Sequence, residues 1–98
     1  MSQKVTGQSE MTSPFMFGQI PIAIERPAYA AARGHVVARV LICGNWHTAE
    51  GKTPERAAKW LCVRLRGLFA YGHTLKQGGS YAQASAAQRK ARRAEMRA

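Results

Sequence analysis

The amino-acid sequence predicts a small α+β fold: a three-stranded antiparallel sheet packed by one amphipathic helix, with a disordered N-terminal leader and a basic C-terminal arm. Three observations predict it. Apolar and polar residues alternate in two separate segments, the period of a strand with one buried face. Thr53-Pro54 then opens a stretch whose apolar residues recur at helical spacing. Both ends of the chain lack the large apolar side chains that would offset the entropy lost on ordering.

Met1 to Pro14 is rich in Ser, Thr, Gln and Gly and reads as the disordered leader. The compact domain is expected over residues 15 to 75. Its first strand, 15 to 25, places Ile20, Ile22 and Ile24 on one face, and Pro21, which cannot donate to a ladder, makes it an edge strand. Arg26 to Gly34 opens with proline and closes with glycine, as a loop or a single helical turn does. The strand 35 to 43 carries Val36, Ala38, Val40 and Ile42 on a wholly apolar face. Gly44-Asn45 signals a tight hairpin turn into a short returning strand, 46 to 50.

The helix is expected from Pro54 to about Ala70, with Thr53 as N-cap and Glu55 at the positive end of its dipole. At about 100° per residue, Ala57, Ala58, Leu61, Cys62, Leu65, Leu68 and Phe69 form the stripe that would cover the sheet, while Trp60 and Val63 fall on the polar arc. Gly72 would stop the helix, and Lys76 to Ser80 reads as a flexible linker. The segment 76 to 98 is therefore a linker and a basic arm, disordered or fraying alone and able to become helical against a partner.

Fifteen Lys and Arg against five acids give a formal charge of +10 in 98 residues, which favours polyanions or an acidic protein partner. Residues 1 to 32 are balanced; residues 33 to 76 hold eight bases against two acids, and the remainder holds five against Glu95. The excess therefore falls on the domain and the arm. No apolar run approaches the roughly 18 residues of a membrane span, and the N-terminus has no signal-peptide core, so a cytoplasmic protein without membrane contact is expected. Cys43 and Cys62 are expected reduced, as small buried hydrophobes.

Cys43, His47, Cys62 and His73 lack the close ligand pairs of a zinc site, so no metal and no cofactor is expected. The chain has no aspartate, no paired carboxylates and no Gly-rich phosphate loop, which argues against an enzyme. His47 near Glu50 is read as an exposed strand histidine rather than as half of an acid–base pair.

The basic residues carry the functional expectation. Arg56, Lys59 and Arg66 lie on the arc opposite the apolar stripe and Lys52 just before the cap, and with Arg64 they would lie against phosphates, with Trp60 placed to stack or wedge. Arg89, Lys90, Arg92 and Arg93 form a second cluster in the arm. The expectation is a non-enzymatic protein that binds nucleic acid, DNA or RNA, through these residues. The alternative is a small phage- or plasmid-type protein that binds and inhibits or modulates a host protein, with Trp46 and Trp60 as anchors. A homodimer through the edge strand is compatible with either.

Residues 40 to 68 (VLICGNWHTAEGKTPERAAKWLCVRLRGL), through Gly51, Lys52, Thr53, Ala57 and Leu61, resemble the second half of a double-stranded-RNA-binding domain. The same strand, strand, helix pattern is similar to small DNA-binding modules of phage-type integrases and to ββα units of antitoxins. The resemblance implies phosphate contacts from the helix start. Pro54 and Glu55, however, stand where the RNA-binding family presents paired lysines, and that family's first helix has no counterpart here.

Overall fold

A computed structural model describes residues 14 to 98, so all of the expected leader except Pro14 lies outside the described residues. The architecture is α+β, in two compact units: one ends at Leu61 and the other is Cys62–Ala98.

The first unit is built on a sheet. Where one strand is expected over 15 to 25, the chain forms three short ones. A hairpin pairs β1 (Met16–Phe17) with β2 (Ile20–Pro21) across Gly18, whose φ of +61° suits glycine, and β3 (Ala23–Glu25) follows. The alternation of isoleucines does not register this turn because Ile20, Ile22 and Ile24 all lie beyond Gly18-Gln19. A single helical turn, α1 (Ala28–Ala31), leads to β4 (Val36–Ile42), which is hydrogen-bonded to β3 on one side and to β5 (Asn45–Gly51) on the other, both antiparallel. The strand order is β3-β4-β5.

The hairpin turn differs from the expected Gly44-Asn45. Ile42 pairs with Asn45, so the loop is Cys43-Gly44, and both residues have positive φ, 51° and 80°, the signature of the type I′ turn that matches strand twist. Cys43 is therefore exposed at a loop tip, not buried as expected, and Cys62 is half-buried; both are free thiols.

Val36, Ala38 and Val40 form the apolar face of β4, and Ile22, Ala30, Ala57, Ala58 and Leu61 join them in the core. The last three come from the opening turns of α2 (Pro54–Lys76), which packs on the sheet in this unit. Close approach explains Gly51: a Cβ there would lie 2.5 Å from the backbone N of Ala57. The Thr53 hydroxyl accepts from the Arg56 amide at 3.1 Å, as the N-cap reading requires.

The second unit is a helical hairpin. α2 continues through Gly72 to Lys76, and the expected flexible linker is a tight turn. The amides of Gly78 and Gly79 donate to the carbonyls of Leu75 and Thr74, with Gly78 at φ +87°, which satisfies the carbonyls left open at the end of α2. Ser80 then caps α3 (Tyr81–Arg97) in a reciprocal capping box with Gln83. The expected arm is thus a capped helix. Its inward face is small and polar, with Ala84 fully buried, and Gly67 of α2 lies where a Cβ would meet Cγ of Arg92 at 2.6 Å and Cγ of Gln88 at 3.1 Å. Arg66 pairs with Glu95 at 3.5 Å.

The faces of α2 differ from the expectation. Val63, expected on the polar arc, is only 1% exposed, whereas Leu68 and Phe69, expected in the buried stripe, are 44% and 43% exposed.

Candidate nucleic-acid interface

In the first unit, the basic residues expected at the helix start gather where the strand hands over to the helix. Lys52 and Arg56 are exposed and make no ion pair among the described residues, and Trp60, one turn beyond Arg56, is 45% exposed. Lys59 is half-buried instead of fully displayed. Glu55 in the first turn serves the helix dipole.

In the second unit, α3 sorts its charges by helical phase. Arg89, Arg93 and Arg97 follow one another every four residues along one exposed face, with Lys90 beside them. These four make no ion pair among the described residues. Arg92 rests its aliphatic stem against Gly67 and is itself exposed, beside Arg89 and Arg93. Arg66 spends charge on Glu95, and Arg64 is exposed on α2. Arg97, absent from the expected site, completes the row; its spacing of four from Arg93 becomes a signal once the segment is known to be helical.

The acids are placed elsewhere. Glu50 accepts from Arg33 Nη2 at 2.6 and 2.8 Å and lies 3.1 Å from Nδ1 of His35. The Arg33 bond, followed by the His35 bond, holds the Glu50 carboxyl below the usual carboxylate range, and the same bond raises the pKa of Arg33. Glu25 forms an ion pair with Arg39 at 3.1 Å, although the Nε–H of Arg39 is buried and not aimed for a hydrogen bond. The Arg39 guanidinium also lies 3.9 Å from the ring centroid of Trp46, on the sheet face that bears Leu41 directly opposite Trp46. This face, with Trp46 and Leu41 both exposed, was not anticipated as a unit, because Arg39 and Trp46 meet only through the β4–β5 register.

His47 and Glu50 do not meet. Three residues apart on one strand, they point to opposite faces. Among the described residues no three His, Cys, Asp or Glu gather as metal ligands, and no helix is long and apolar enough to cross a membrane. Comparison of the chain with protein-family models, curated proteins and solved structures gives no significant match.

Proposed function

We propose that this chain is a non-enzymatic nucleic-acid-binding or accessory protein that contacts phosphates through the exposed bases of its second helix and of α3. One observation carries the reading: the exposed row of α3 is cationic along its length, while Glu25, Glu50 and Glu95 each sit against an arginine elsewhere. A face kept only for solubility mixes signs. Lys52 and Arg56, exposed at the start of α2, add further contacts. Trp60 would stack on a base.

The test is fluorescence anisotropy of labelled DNA and RNA, single- and double-stranded, titrated with the full chain. Four phosphate contacts lose roughly 10²-fold in affinity between about 50 and 200 mM salt. Binding that is absent, or that ignores salt, refutes the reading.

The second reading, a phage- or plasmid-type modulator of a host protein, is favoured by the exposed Trp46 and Leu41 pair beside Arg39, since aromatic and arginine residues dominate protein interfaces. Such a contact changes little with salt.

A further inference from the structure

We infer that α3 seats in the major groove of duplex DNA, with Arg89, Arg93 and Arg97 as its contacts; the inference rests on the nucleic-acid reading and specifies its ligand. The row lies on a helix held before any ligand arrives, by the Ser80–Gln83 capping box at one end and the Arg66–Glu95 pair near the other. Two like-charged pairs at four-residue spacing each cost an isolated helix about 0.2–0.5 kcal/mol. The helix dipole compensates for cations in the last turn but not for Arg89, two turns back.

The dimensions suit a duplex. Arg89 to Arg97 spans about 12 Å at 1.5 Å per residue, a length comparable to the roughly 12 Å width of the major groove. Upstream on the same face the exposed residues are Ala82 and Ala86, which let the backbone approach closely. A helix about 10–12 Å across fits the roughly 12 Å major groove of B-DNA. The deep, narrow major groove of A-form RNA does not admit it. Single strands are bound by stacking on aromatic rings, and the row contains none.

The experiment compares the full chain on a 5′-labelled duplex DNA of about 20 bp, the matching duplex RNA and the matching single strand, at several salt concentrations. Tightest binding is expected on duplex DNA. The triple variant Arg89→Gln/Arg93→Gln/Arg97→Gln should weaken it by on the order of 10²–10³-fold near 0.1 M salt and lower the salt slope by about 2.7. Ala86→Glu guards against a folding artefact: its carboxylate can pair with Lys90 at four-residue spacing and support the helix, yet it faces the phosphates. It should weaken duplex binding at least about tenfold with unchanged helicity by circular dichroism. Equal or tighter binding of RNA duplex or single strand, or either variant binding like the parent, overturns the groove assignment and leaves the broader reading standing. No binding to any of the three probes overturns both.

Discussion

Replacing Gly51 by alanine tests how α2 is set on the sheet. The added methyl would lie 2.5 Å from the backbone N of Ala57, 2.9 Å from its Cα and 2.9 Å from the carbonyl carbon of Arg56. Contacts between such atoms are optimal near 3.5–4.0 Å, so the overlap is about 1 Å. All three clashing atoms are backbone in the opening turns of a helix, and no side-chain rotamer relieves them. Either the helix start lifts or the end of β5 bends, and both displace Ala57, which is fully buried. Overpacking of this kind costs about 1–3 kcal/mol. Backbone clash puts Gly51→Ala at the upper end, and the gain of about 0.4–1 kcal/mol from restricting the unfolded chain offsets only part of it. A net loss of about 2 kcal/mol, or about 8–16 °C in Tm, is expected. Urea unfolding followed by circular dichroism should show a lower midpoint at unchanged m-value. A loss below about 0.5 kcal/mol would refute the argument that the strand and the helix meet backbone to backbone at this glycine.

Gly72→Ala should act in the opposite direction, since a Cβ there meets nothing within 4 Å and the residue lies inside α2; about 0.5–1 kcal/mol of stabilisation in the same urea experiment is expected. Cys43→Asn should stabilise by about 0.5–1 kcal/mol, because asparagine tolerates positive φ and Asn-Gly is the preferred type I′ pair; a Tm at or below the parent's would contradict the turn assignment. Val63→Thr should cost about 1–3 kcal/mol, by burying a hydroxyl where the parent has a methyl, whereas a residue on a solvated arc would show almost no change in the urea midpoint. The carboxyl of Glu50 is held below its ordinary value in the folded chain, so its contribution is present above the ordinary carboxylate range and disappears as pH falls through the folded value. Glu50→Gln should therefore lower Tm near neutral pH and converge with the parent in acid; a pH-independent difference would rule out the ion pair as its cause.

What could be read from the sequence was what local chemistry determines. β4 announces itself because four alternating positions are apolar, and the start of α2 because Thr53-Pro54 is both a cap and a first-turn pair. The break inside 15 to 25 was hidden, since the alternating isoleucines 20, 22 and 24 begin only after the turn at Gly18-Gln19. The failure at the C-terminus has a different cause. A sequence signals packing through large apolar residues, and α3 has only Met96 and Tyr81, both exposed. It packs through absence of bulk: Gly67 and Ala84 allow two backbones to approach so closely that Gln88 and the Arg92 stem suffice as contacts. Such packing leaves no hydrophobic period. Val63, 1% exposed, lies one turn before Gly67 on the same face of α2, so a polar arc holds there only for a helix with one partner surface.

The basic face follows from this packing. In the sequence QRKARRAEMR, Glu95 stands two residues from Arg93 and Arg97 and reads as their counter-charge. On the helix it is turned about 200° from either, at 100° per residue, and it is half-buried against Arg66. The neutralising acid is thereby removed from the outer face, while Arg92 rests its stem on Gly67 and stays exposed. What remains outside is Arg89, Lys90, Arg92, Arg93 and Arg97, of which Arg89, Arg93 and Arg97 form one row at four-residue spacing. A tail that merely kept the chain in solution would need neither the capping box that starts this helix nor the phase that clears its outer face of acid, and both would be lost if the segment were the unstructured arm that its composition suggests.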